Sequence, residues 1–171
     1  MNKGLVAGAG CRQLTPAMAS QKFSVDLCGP ACCGKSSFIL RHKTGQYYTN
    51  PIVPVRTTLT FETNKGTCEL CVHEGVSSGA DARAVLFDTC RRLPMHQLES
   101  MLASSPKIPM VLCGTKSDRR DSIAEPGVYE LIKTYNVMYY PISAKSLYNF
   151  EKPFLVLLRQ LTGNKDLEFV A

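Results

Sequence analysis

No apolar run in this 171-residue chain approaches the roughly 20 residues that a membrane-spanning helix needs. Acidic residues are missing from the start. Lys3, Arg12 and Lys22 precede Asp26, the first Asp or Glu. The apolar patch "GLVAGAG" is too short and too glycine-rich for a secretory core segment. The acid-poor stretch shares one trait with mitochondrial transit peptides but reads more simply as a disordered lead-in. Residues 1–20 are set outside the fold, and one domain is expected over 21–171. There is no internal repeat and no low-complexity tract. A net charge of +6 falls in small clusters, Arg41-His42-Lys43, Arg91-Arg92 and Arg119-Arg120, which read as solvated surface. No basic stripe interleaved with aromatics supports specific nucleic-acid recognition.

Eight cysteines without a secretory segment point to a reducing compartment rather than a disulfide framework. Cys68 and Cys71 have CxxC spacing, but they fall in a strand-like run, where positions three apart face opposite sides. No second pair stands at zinc spacing, so small buried apolar residues are the better reading.

What is present alternates between strand and helix. Phe23, Val25 and Leu27 alternate with polar residues into a glycine loop, and "KSSFILRHKTG" reads as a helix stopped near Gly45. "VRTTLTFETNKGTCELCVH" reads as a hairpin turning at Asn64-Lys65-Gly66. "ARAVLFD" and "KIPMVLCGTK" are short apolar runs of the kind that form buried parallel strands. A helical stretch around "LPMHQLESMLASS" lies between them, and "NVMYYPISAK" is a further short run. The last helix has Asn149 placed as its cap, Pro153 in its first turn, and Phe150, Phe154, Leu157 and Leu161 on one face before Gly163. The pattern predicts a doubly wound, mostly parallel α/β sheet with one antiparallel edge strand and helices on both faces.

Gly29 to Ser36, "GPACCGKS", satisfies GxxxxGK(S/T) between a strand and a helix. Such a loop wraps backbone N–H groups around phosphates at a helix N-terminus, where the dipole favours negative charge. The expected phosphate site is Gly29, Cys32, Cys33, Gly34, Lys35, Ser36 and Ser37. Lys35 would reach the terminal phosphates and Ser36 would offer its hydroxyl to Mg²⁺. Pro30 removes one N–H. A thiol near a helix N-terminus and a lysine should have a lowered pKa, which makes Cys32 or Cys33 a candidate reactive group, although two inert packed thiols is the better reading.

Two later turns choose the base. "VLCGTKSD" places Thr115, Lys116 and Asp118 after a buried strand, and "ISAKS" places Ser143, Ala144 and Lys145 after the next. A carboxylate can accept from the ring N–H and exocyclic amine of guanine, a pair that adenine does not offer. The two turns resemble the guanine-reading loops of small GTPases, and that resemblance implies that the Lys116 stem covers the base and the Ala144 N–H meets the guanine oxygen.

These motifs resemble the Ran-type small GTPases. "YYPISAKSLYNFEKPFLVLLRQLTGNKDLEFVA" is similar to the end of such a domain almost residue for residue, and "RHKTG", "ETNKG" and "IPMVLCGTKSD" occur in the same order. The resemblance, covering about residues 22–171, implies a Ras-like P-loop GTPase fold, GTP or GDP with Mg²⁺, and a monomeric switch in nucleocytoplasmic transport. It also implies receptors of the importin and exportin type, an exchange factor, and residence in nucleus and cytoplasm. The chain carries no prenylation or myristoylation signal, so no lipid anchor is expected.

The resemblance breaks between "CVHEG" and "ARAVLFD", where about ten residues replace a loop, a catalytic Gln and a helix. Glu74 then stands for the metal-associated Asp, and Gly75 or Gly79 for the γ-phosphate contact. The metal-binding threonine is one of Thr49, Thr57 and Thr58, in a shortened loop stiffened by Pro51 and Pro54. Asp26 takes a strand position that is apolar in the family. Hydrolysis should therefore be slow. Alternatives are a pseudo-GTPase serving as a nucleotide-independent interaction module, and a P-loop kinase or ATPase in which Asp118 is incidental.

Overall fold

The computed structural model describes residues 20–92, 95–104, 107–121 and 126–170, so the expected lead-in falls almost wholly outside the described residues. Strand β1 (Gln21–Cys28) runs into the glycine loop and helix α1 (Lys35–Thr44). The hairpin β2 (Arg56–Thr63) and β3 (Gly66–Glu74) follows, then β4 (Ala82–Asp88), α2 (Met95–Ala103), β5 (Met110–Thr115), α3 (Pro126–Tyr135), β6 (Met138–Pro141) and α4 (Lys152–Thr162). The six strands lie in the order β2-β3-β1-β4-β5-β6, and only the β2–β3 pair is antiparallel. The expected sheet is the observed one.

Side-chain alternation divides the core. Val25 and Leu27 of β1, with Ala84 and Leu86 of β4, pack against Phe38 and Ile39 of α1 and Phe154, Leu157 and Leu158 of α4. On the opposite face Val85, Phe87 and Leu112 meet Leu98 and Leu102 of α2 and Val128 and Leu131 of α3. Every residue of β4 and β5 is buried, which explains why both read as unbroken apolar runs. Cys68 is buried and Cys71 half-buried, as their opposite directions on β3 require.

Between β3 and β4 only residues 75–81 intervene, and they contain no helix. This segment is fastened to β1. The Gly75 N–H donates to Leu27 O (3.1 Å) and Cys28 Sγ to Gly75 O (3.2 Å), while Ser24 N–H and Oγ both donate to the Asp81 carboxylate. Ser77 donates from its N–H (3.0 Å) and hydroxyl (2.6 Å) to the fully buried Asp26. Asp26 also meets Arg83 at 3.2 Å, and Arg83 itself is 1% exposed.

Two expectations are corrected. Asn149 is not the cap of α4: that position is Glu151, whose side chain makes no capping bond. Asn149 takes a left-handed turn conformation (φ 49°), donates from its side chain to Pro141 O and accepts the Lys152 N–H on its carbonyl. Pro153 does lie at the start of the helix. His42 is not solvated like its neighbour Lys43. Its ring stacks on Phe150 (3.9 Å between centroids) with Phe38, Phe154 and Phe61 around its edges.

Burial in this aromatic cage holds His42 down at about 3, although a backbone hydrogen bond with Phe150 works the other way. The unfolded chain would bind this proton near 6.5, so between those values it holds more protons than the folded one. Stability contributed by neutral His42 is therefore present above about 6.5 and declines as pH falls towards 3. Urea midpoints measured at pH 7, 5.5 and 4 should fall less steeply for His42→Leu than for the unaltered protein.

Candidate functional site

The carboxyl ends of β1, β4, β5 and β6 open on one side of the sheet, where the loops above them enclose a cavity of about 660 Å³. That is a size suited to a small-molecule ligand. Its floor is the start of α1. Gly34 leads into the helix in a left-handed conformation (φ 103°), and no side chain caps the first turn, so the N-terminal N–H groups of Lys35, Ser36 and Ser37 line an electropositive end. Gly29 is required for shape: a Cβ there would collide with the Leu86 carbonyl oxygen.

Of the expected phosphate residues, Cys32, Gly34, Lys35, Ser36 and Ser37 border the cavity, but Gly29 and Cys33 do not. Cys33 is 1% exposed and points into the core beneath the loop. Burial raises its thiol pKa, overriding the nearby Lys35 charge, so the expected lowering does not apply to Cys33. Cys32 is exposed at the loop tip, so the reading of two packed thiols holds for only one of them.

Lys35 Nζ donates to Gly29 O and Pro30 O, both at 2.9 Å, and lies 3.8 Å from Glu74. Ser36 Oγ donates to Glu74 at 3.1 Å. The last residue of β3 thus reaches the head of α1, as expected for Glu74. Gly75 and Gly79 do not border the cavity, and the Gly75 N–H is taken by Leu27. Among the three threonines only Thr49 lines the cavity. Thr57 is buried with its hydroxyl towards Pro54 O, and Thr58 lies exposed on β2.

The two turns expected to read the base form the far wall with Thr115, Lys116, Asp118, Ser143, Ala144 and Lys145. Their roles differ. Thr115 Oγ1 approaches Cys33 O (2.6 Å) and Phe87 O (3.0 Å), tying β5 to the phosphate loop. Ser143, fully buried, donates to Asp118 Oδ1 at 2.7 Å and accepts the Ser146 N–H, so it orients the carboxylate. Lys116 Nζ reaches Cys32 O (3.3 Å) and Asp88 (2.7 Å). Sequence reasoning missed Tyr47, which lines the cavity from the 45–55 loop and is 41% exposed. Its signal was an aromatic placed just past the helix-stopping Gly45. Asp88 was missed too, since it reads as the polar end of an apolar strand.

Residues 82–163, just under half of the chain, match the model of the Ras family. The matched span takes in β4 to α4 and the turns after β5 and β6, while the glycine loop lies outside it and is placed by the structure. The fold is that of the Ras-like P-loop GTPases. Among the described residues no helix is long and apolar enough to cross a membrane.

Proposed function

We propose that this chain binds guanine nucleotide, GTP and GDP, with Mg²⁺, and hydrolyses GTP slowly. One observation carries the reading: a single cavity joins an uncapped helix N-terminus bearing Lys35 to an Asp118 carboxylate aimed by Ser143. The first end suits phosphates and the second suits paired N–H donors. Lys116 and Lys145 also border the cavity. Tyr47 offers a ring face to the nucleoside.

Ser36 and Glu74 bring a hydroxyl and a carboxylate together at 3.1 Å on the cavity wall. Such hard oxygen donors fit Mg²⁺, which takes one or two protein ligands together with phosphate oxygens. When bound there, the ion would neutralise charge on the phosphates. Slow hydrolysis is read from the other side of the site. Residues 75–81 contain no Gln, and none of them borders the cavity. With that segment fastened to β1, the 45–55 loop, which brings Thr49 and Asn50 to the cavity, is the element placed to respond to a γ-phosphate. The resemblance of residues 22–171 to Ran-type proteins supports a role in nucleocytoplasmic transport with importin- or exportin-type receptors and an exchange factor.

Titration with fluorescent GDP and GTP, in Mg²⁺ and in EDTA, tests the reading. Guanine nucleotides should bind tightly and more so with Mg²⁺, and excess GTP but not ATP should displace the probe. Absence of binding at micromolar protein would sink it in favour of an interaction module. Equal displacement by ATP would remove Asp118 from its role.

A further inference from the structure

A buried carboxylate stands directly behind the phosphate cavity, where negative charge would oppose an anionic ligand. Asp88 ends β4 at 3% exposure and does not border the cavity. Its Oδ2 receives the Lys116 ammonium at 2.7 Å, with the Arg91 guanidinium at 3.6 Å, and its Oδ1 accepts the Cys90 N–H at 2.9 Å. Lys116 Nζ simultaneously donates to Cys32 O, across the cavity edge on the phosphate loop. Lys116 and Cys32 both adopt left-handed backbone conformations (φ 60° each) without being glycine. Such conformations are strained for a residue with a Cβ and persist only where their surroundings hold them.

The turn after Asp88 braces the same place. Thr89 donates from its N–H (3.2 Å) and hydroxyl (2.8 Å) to Thr115 O, and Cys90 Sγ lies 3.8 Å from Lys116 O. From this geometry we infer that Asp88 is a positioning residue: it fixes the Lys116 ammonium so that one side chain locks the base-reading turn to the phosphate loop. The inference rests on the nucleotide reading above and deepens it. Asp88 touches no ligand and acts through Lys116. Its charge is matched by Lys116 and by Arg91, so its field on the phosphates is small beside its effect on the lysine. Loss of that charge frees Lys116 and uncouples the two loops, and bound nucleotide leaves faster.

The experiment is a double-substitution cycle read as the dissociation rate of fluorescent GDP, with the unaltered protein measured first. Asp88→Asn keeps the shape and an acceptor for the Cys90 N–H. It should speed release about tenfold alone but less than twofold when added to Lys116→Met. Asp88→Glu, which keeps the charge, should release within about twofold of the unaltered protein. Equal acceleration by Asp88→Asn in both backgrounds would overturn the inference, because the effect would not pass through Lys116. No acceleration in either would overturn it as well. If Asp88→Asn does not fold, the Glu variant decides: rapid release by folded Asp88→Glu overturns the inference, and near-normal release upholds it. An unaltered protein that binds no guanine nucleotide defeats the functional reading and takes the inference with it.

Discussion

Asp118→Asn weakens GDP binding by at least about a hundredfold and turns the remaining preference towards a base with a carbonyl where guanine has its amine. The carboxylate can accept from both the ring N–H and the exocyclic amine of guanine, and hydrogen bonds to a charged group contribute about 1.5–3 kcal/mol each. An amide retains one acceptor but sets a donor against the exocyclic amine. That donor suits a carbonyl oxygen, as xanthine presents at the same position. Ser143 donates to Oδ1 at 2.7 Å, so the side chain stays oriented after substitution if the amide oxygen takes that place. Competition of fluorescent GDP with unlabelled GDP, XDP and ADP measures all three terms. Loss of GDP affinity without any gain for XDP relative to GDP would mean that Asp118 does not face the base.

Most of this site was legible because its parts are short and local. A glycine-rich loop between a strand and a helix, and two polar turns after buried strands, each carry chemistry within a few residues. Their convergence follows from the rule that ligands sit at the carboxyl ends of strands in such sheets. Whether Cys33 is reactive or packed was not legible, because a motif gives spacing but not direction. Its neighbour Cys32 turns outward through a left-handed backbone and leaves Cys33 in the core, where desolvation outweighs the lysine field. Asp88 and Tyr47 depend on contacts between distant segments, and nothing in their local sequence states those contacts.

The fold was legible to the same extent and failed at analogous points. Alternation and apolar runs gave the strands, yet Asn149 could not be told from Glu151 as the head of α4 without backbone geometry. His42 looked solvated because it stands between Arg41 and Lys43, while three of its four aromatic partners come from β2 and the α4 region. Asp26 was the plainest anomaly in the sequence. The absent helix explains it. With only residues 75–81 over that part of the sheet, β1 meets polar groups rather than an apolar helix face: Ser24 donates to Asp81 of the segment that remains, and Asp26 accepts from its Ser77.

That account makes Asp26 structural, and its removal should cost the protein about 3–5 kcal/mol, the range for deleting one partner of a buried ion pair. Arg83 would be left 1% exposed with its charge uncompensated, holding only its contacts to Met101 O and Ser104 Oγ. Ser77 would lose the acceptor for both its N–H and its hydroxyl, loosening the middle of the 75–81 segment between its remaining ties at Gly75 and Asp81. For a chain of this size Asp26→Ala should lower the thermal midpoint of the nucleotide-free protein by about 6–20 °C. A second variant separates charge from volume. Asp26→Leu combined with Arg83→Met removes the pair together, and buried pairs replaced by apolar residues of similar volume are often neutral. The double variant should therefore recover much of the lost midpoint, while hydrogen exchange at residues 75–81 stays fast because the anchor for Ser77 is gone. If the double variant were as unstable as Asp26→Ala, the Arg83 charge would not be the cause, and Asp26 would stabilise the fold through the Ser77 anchor instead.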